Sequence, residues 1–597
     1  MRIVRLVTAA LALLLAPAVW AQESDALIGL WAAEAKFPSL SGELSVHRTG
    51  SQWTAAIAHE RTRFTTTRND IRFAFGERGS FRGRMSPDGR TIDGFWVQPP
   101  GKTRVYSFAT PTTLRRTGAN DWRGVARPLD ERFTLYLSIF RDDKKRIVAA
   151  FRNPERNAIG GSSRYLVTRN GNALRFSVKY DGGEITHDAT LLHSPERIRI
   201  QWEDLQNPIE LSRRDPAAAA GFFPRAPGSP PYAYKRPPQI GDGWLTASAG
   251  ELGIDQAALE RTVREIIASD PTEQPATLIH SVLIAYRGRL VLEEYFFGYD
   301  RDTPHDLRSA GKTFSSVMLG SAMRDEVVLS PESRIYEVMK GLGPFANPDP
   351  RKHKITLAHL MTHSAGLACN DNDDNSPGNE SRMDSQTQQP NWWKYTLDLP
   401  MAHEPGERYA YCSANINLVG GALTVGTETW LPELFERTVA KPLQFGSWHW
   451  NLMPNGEGYL GGGAFVRPRD LLKLGQAYLD GGTWNGRRIV DSDWVTRSTR
   501  LVMPITPETT GYSAEDFGNF YGGGADGLAW HQGNLDVGGR TVKGYSASGN
   551  GGQVLLVIPE YQLAAVFTGG NYRQGGVWGR WGQQIIGEKI IPAIRKP

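Results

Sequence analysis

Ser309 and Lys312 stand three residues apart in HDLRSAGKTF, residues 305–314, and a serine hydroxyl with an amine at that spacing can carry out acyl transfer. On a helix the two share a face and lie within reach of each other. A serine at the start of that helix meets its positive end, where backbone N–H groups favour a nearby oxyanion. A lysine held in a partly desolvated pocket loses some of its preference for charge and can take the serine proton. Phe314, Val317, Met318 and Ala322 continue at helical spacing, which predicts a buried helix starting near Ser309. S-x-x-K also arises by chance in most long chains, so its companions decide.

Other spacings read as structural. His359 and His363 are four apart like a zinc pair, but residue 360 is Leu where a zinc peptidase needs Glu, which predicts a core or capping role and no metal. Asp371-Asn372-Asp373-Asp374-Asn375 lacks the glycine and the terminal glutamate of a calcium loop and reads as a solvated acidic loop. Trp392, Trp393, Trp448 and Trp450 are candidates to wall an acyl pocket or to belong to a core. Cys369 and Cys412 are the only two cysteines, and export to an oxidising compartment predicts that they pair.

Five further segments flank the serine in order. They are LIAYRGRLVLEEYFFGY before it, then ITLAHLMTHSAGL, PGERYAYCSANINLVGGAL, GGGAFVRPRDLLKLG and SASGNGGQVLLVIP after it. Over about 280–570 this set resembles the serine β-lactamase-related family, which includes class C β-lactamases, penicillin-binding peptidases, esterases and 6-aminohexanoate-dimer hydrolases. The resemblance implies Ser309 as nucleophile, Lys312 as its base partner and Tyr411 as the phenol that relays the proton, with no cofactor. Where the family has Tyr-x-Asn, the chain reads Tyr411-Cys412-Ser413 with Asn415 two further on, so Ser413 and Asn415 are candidate substrate contacts. Counting back from Pro559 without gaps puts Gly544-Tyr545-Ser546 where many relatives carry Lys-Thr-Gly. The family's substrate-carboxylate lysine is therefore missing, which points to an ester or amide without an obligatory carboxylate. The N–H of Ala547 is expected to join that of Ser309 in an oxyanion hole, with Ser546, Ser548 and Gly549 beside the substrate.

These residues need a scaffold. Residues 246–597 combine helical spacing in LGIDQAALERTVREIIA with strand pairs near both ends, which predicts an α+β, β-lactamase/transpeptidase-like domain with an antiparallel sheet flanked by helices. Residues 22–215 show period-two runs split by Asp-Gly, Asn-Gly and Gly-Gly turns, which predicts an all-β antiparallel barrel or sandwich. An echo between TTTRNDIRFAF and LVTRNGNALRFSV suggests two similar β units there. Residues 216–245 have the Pro/Ala-rich composition of a linker.

At 597 residues, with 40% hydrophobic and 22% charged, the chain is a multidomain globular protein. Residues 25–215 hold 31 Lys/Arg against 22 Asp/Glu, whereas residues 216–597 hold 35 against 40. That asymmetry suits docking of the two halves or attraction to an anionic envelope. No basic cluster with interleaved aromatics speaks for nucleic acid. Arg2, Arg5, the apolar run Leu6 to Val19 and Val19-Trp20-Ala21 predict a cleaved signal peptide over 1–21 and an extracytoplasmic protein without stable membrane insertion. The expectation is a secreted serine hydrolase acting on a small ester or amide through an acyl-enzyme. A β-lactamase, a D-aminopeptidase-type peptidase and a non-catalytic envelope binding protein remain alternatives, and a homo-oligomer is left open.

Overall fold

In strand Arg132–Arg141, Phe133, Leu135, Leu137 and Ile139 point one way and fill the centre of a closed eight-stranded antiparallel barrel. The computed structural model describes residues 25–595, apart from 38, 102–105, 156–162, 181–182, 194–195, 203–204, 206 and 521–522; the expected signal peptide lies outside the described residues. The barrel takes its first strand from Gly29–Lys36 and the other seven from residues 132–213. Between them the chain makes a separate antiparallel sheet from residues 42–126, with its own core of Leu44, Val46, Ile71, Phe81, Ile92 and Trp96. The N-terminal region is all-β, as expected; where the sequence suggested two similar units, it holds a closed barrel and a separate sheet inserted after the barrel's first strand.

A nine-stranded sheet carries the C-terminal half. Its centre pairs Ile279–Tyr286 with Leu563–Gly569, which joins the first and last strands of this domain. Alternation along each strand serves two cores. Val282, Ile284 and Phe567 face a layer containing helix Gln256–Ile267, whereas Leu283, Ala285 and Val566 face the helices around Phe314–Arg324 and Ser413–Thr427. The α+β domain with an antiparallel sheet between helices is therefore present as the sequence led us to expect.

The two halves share a sheet. Strand Ser107–Arg116 of the inserted unit pairs with Trp448–Leu452, in register Ala109 to Trp450 and Phe108 to Asn451. Phe95 packs edge-on against Trp430 and Trp448, and Arg82 lies 4.0 Å over the Trp430 ring. Residues 216–245 do not act as a free tether. Phe222 and Tyr232 are buried, and the Tyr232 hydroxyl donates to Glu294 at 2.8 Å.

Candidate active site

Ser309 opens no α-helix. Residues Arg308–Thr313 form a 3-10 turn, and the α-helix begins at Phe314. In a 3-10 turn residues i and i+3 eclipse each other, so Lys312 lies directly in line with Ser309. The turn is held from outside: Asp306 accepts the Arg308 N–H at 3.0 Å, and the Leu307 N–H donates to Ala464 at 3.0 Å. Arg308 has φ of 47°, a left-handed conformation that costs an L-residue about 1–2 kcal/mol.

Lys312 is buried beneath the serine, and its ammonium donates to Ser309 Oγ at 2.9 Å and to the Gly461 carbonyl. The half-buried Tyr411 lines the cavity beside them, with Lys312 Nζ 5.2 Å from its ring centre. Burial pushes the Lys312 ammonium down, but Tyr411, Glu380 and Asp371 outweigh it and hold the pKa above the ordinary lysine value. Burial likewise pushes the Tyr411 phenol up, and the pull of Lys312 does not offset it. The weakened preference for charge expected of Lys312 is thus corrected: Tyr411, Glu380 and Asp371 together outweigh burial and favour the ammonium.

Tyr411 is fixed from three sides. His363, buried and neutral with a pKa near 3 through desolvation, accepts the Cys412 N–H and packs its ring 4.6 Å from the Tyr411 ring. The Asp371 N–H donates to the Tyr411 carbonyl at 2.8 Å. Cys369 and Cys412 form a disulfide with Cα atoms 5.6 Å apart, tying the tyrosine to the 369–379 loop. Closing the loop from Cys369 to Cys412, a sequence separation of 43, contributes about 4 kcal/mol in the chain-entropy view. His359 caps its own helix through Thr356, as read from the sequence.

The opposite wall is strand Tyr545–Gly549, and its register differs from the ungapped count. Ser548 and Gly549 line the cavity; Ser546 does not, the Ala547 side chain lies in the core, and Lys543 is exposed. A hairpin of only Asn550–Gly552 separates this strand from Gln553–Ile558, so the residues beside the serine fall nearer the turn than the count placed them. Gly549 is needed for close approach: a Cβ there would sit 2.4 Å from Leu307 O and 3.1 Å from Ser309 N. Strand neighbour His531 reaches only to Ser546, which leaves the edge from Ala547 to Gly549 open towards Ser309.

Ser413 lines the cavity, and its N–H donates to Asp371 at 2.7 Å. Asn415 does not line it and is buried in the first turn of its helix. Of the four tryptophans, Trp392 alone lines the cavity; Trp393, Trp448 and Trp450 belong to the core.

The cavity has a volume of about 650 Å³ and includes residues that the sequence did not single out. Asp371 is half-buried at the site and not simply a solvated loop residue; burial and Glu380 push its carboxyl up to about 6. Glu380 and Asp384, one turn apart on helix Glu380–Ser385, add two more carboxylates. His531 bonds to buried Asp526 at 2.6 Å, a contact that outweighs burial and raises its pKa. Tyr106 and Phe108 reach in from the inserted sheet. Carboxylates next to aromatic residues in an irregular loop carry no periodicity, so only the three-dimensional path identifies them. Among the described residues no three His, Cys, Asp or Glu side chains converge as a metal-binding group.

The β-lactamase family model matches residues 267–572. No curated protein matches the chain in sequence. Among solved structures, similarity extends to a D-stereospecific amidohydrolase from Streptomyces sp. (16% identity, 55% of this chain and 98% of that one, TM-score 0.41). It also extends to a penicillin-binding protein homologue from Caulobacter crescentus (13%, 53% and 91%, TM-score 0.40) and a family VIII carboxylesterase (14%, 53% and 90%, TM-score 0.40). With the family model spanning half its length and covering every residue of the Ser309–Lys312–Tyr411 cluster, the chain belongs to the β-lactamase family.

Proposed function

We propose that the protein is an exported serine hydrolase that cleaves an ester or amide through an acyl-enzyme on Ser309. The observation that carries this reading is the clustering of Ser309, Lys312 and Tyr411 at the wall of an open cavity, with the Lys312 ammonium donating to Ser309 Oγ at 2.9 Å. Ser309 Oγ attacks the substrate carbonyl carbon, and its proton passes to the Lys312–Tyr411 pair once that pair has released one proton to solvent. The Ser309 N–H and an N–H from the open edge at 547–549 stabilise the oxyanion. Tyr411 returns a proton to the leaving group, and water, activated by the same pair, then releases the acid and restores the serine.

The charge of the cavity favours an ester or amide over a β-lactam. No lysine stands on the 547–549 edge, while Asp371, Glu380 and Asp384 all face the cavity, so a substrate carboxylate would meet like charge. Turnover of p-nitrophenyl butyrate and of nitrocefin tests this. The expected kcat/KM ratio is at least about a hundredfold in favour of the ester, given a like-charge penalty of several kcal/mol. Comparable turnover of the two would contradict it, and Ser309→Ala should abolish both.

A further inference from the structure

Tyr106 is remote from Ser309 in sequence and belongs to the inserted sheet, yet its hydroxyl donates to Asp384 and its ring packs edge-on at 6.1 Å against Trp392. Tyr459 makes the matching arrangement on the other side: its hydroxyl donates to Glu380, and its ring lies 5.4 Å from Trp392, again edge-on. All five residues line the cavity that holds Ser309. The result is a wall of aromatic rings and carboxylates at the junction of the two halves.

The carboxylates have few counter-charges. Arg308 faces the same cavity but is bound to Asp306 at 3.0 Å, and His531 is bound to Asp526. Among the described residues Asp371, Glu380 and Asp384 form no ion pair with Lys, Arg or His. A second, independent feature points to a ligand that donates hydrogen bonds. Asn451 lines the cavity and is only 7% exposed, and its Oδ1 has no partner. An unsatisfied buried acceptor is costly unless something fills it. Asn451 is the register partner of Phe108, so this acceptor sits on the very seam where the inserted sheet joins the catalytic domain.

We propose that the inserted N-terminal sheet forms part of the substrate site, and that the wall it builds with helix Glu380–Ser385 binds a protonated amine carried by the ester or amide substrate. Carboxylates supply charge-assisted acceptors, Asn451 supplies a neutral one, and the ring of the partly exposed Tyr106, backed by buried Trp392 and Tyr459, adds an aromatic surface that attracts a cation. This rests on the reading of Ser309 as the nucleophile, because it places the amine on the molecule that Ser309 attacks.

Matched probes test it. With the charge on the acyl side, the p-nitrophenyl esters of 5-aminopentanoic and hexanoic acid are compared. With the charge on the leaving group, S-(2-dimethylaminoethyl) thioacetate, protonated at neutral pH, is compared with S-(3-methylbutyl) thioacetate. At least one cationic member should exceed its neutral twin by about tenfold or more in kcat/KM, the range expected of a hydrogen bond to a charged group. Asp384→Asn and Tyr106→Ala, which removes the ring, should each pull that ratio towards one, and because each ratio is taken on a single protein, a general loss of folded enzyme does not mimic the effect. Ratios at or below one in both pairs, or a cation preference that neither variant changes, would overturn the proposal. Hydrolysis of the neutral twins in that case leaves the hydrolase reading standing. If no ester is turned over, the hydrolase reading fails instead, and calorimetry on Ser309→Ala still decides this one: 5-aminopentanamide must bind at least about tenfold more tightly than hexanamide.

Discussion

A buried ammonium that keeps its proton changes what Ser309 needs in order to react. The protonated form is favoured at both residues: Tyr411, Glu380 and Asp371 outweigh burial at Lys312, and burial outweighs Lys312 at Tyr411. The reactive form of the cluster therefore carries one proton fewer than the resting form, and its population grows as pH rises. We expect kcat/KM for a neutral ester to climb through pH 7–9 without levelling off; a plateau already reached at pH 7 would contradict this assignment of charges. The pairing of Ser309 with Lys312 was suggested by its spacing, whereas Tyr411 entered only through the resemblance to the β-lactamase-related family. Their protonation states were not legible in the sequence. Asp371 and Glu380 add to Tyr411 in favouring the Lys312 ammonium, and nothing in a run of Asp and Asn at 371–375 says which of its carboxylates turns inward.

At the scale of elements, the site depends on close approach between a 3-10 turn and a strand edge. Gly549 permits it, since a Cβ at that position would collide with the backbone at Leu307 and Ser309. Gly549→Ala should lower kcat per folded molecule by at least about tenfold and also lower the thermal unfolding midpoint, because the clash must displace backbone and a displacement of about 1 Å in a reacting group can cost on the order of a hundredfold in rate. Wild-type kcat in that variant would show that the strand does not abut the nucleophile. Strands and helices themselves were readable from alternation and helical spacing, as in Ile279–Tyr286 and Gln256–Ile267. Register was not: the count back from Pro559 had no way to know that the hairpin takes only Asn550–Gly552. The 3-10 turn was equally hidden, since its three-residue repeat and an α-helix both bring Ser309 and Lys312 together.

The whole molecule joins its halves through a shared sheet and not through a tether. Pairing of Phe108 with Asn451, the Phe95–Trp430 contact and a hydrogen bond of 2.7 Å between Thr110 and buried His449 make the inserted sheet and the catalytic domain one packed body. Calorimetry should show the two unfolding in a single transition, and a chain truncated to 246–597 should lose soluble folded protein because it exposes Trp448, Trp450 and Phe465. Two well-separated transitions, or a stable and active truncated chain, would contradict that. A barrel or sandwich followed by an α+β domain was visible from turn signals and the composition change near residue 216. The strand pairing across some 340 residues was not, since alternation identifies a strand but not its partner.

The central claim is that Ser309 forms the acyl-enzyme. Incubation with a fluorophosphonate, followed by intact-mass measurement and peptide sequencing, tests it most directly. The account predicts one adduct per chain, located on Ser309 and lost in Ser309→Ala. No adduct, or an adduct on another residue that persists in Ser309→Ala, would contradict it.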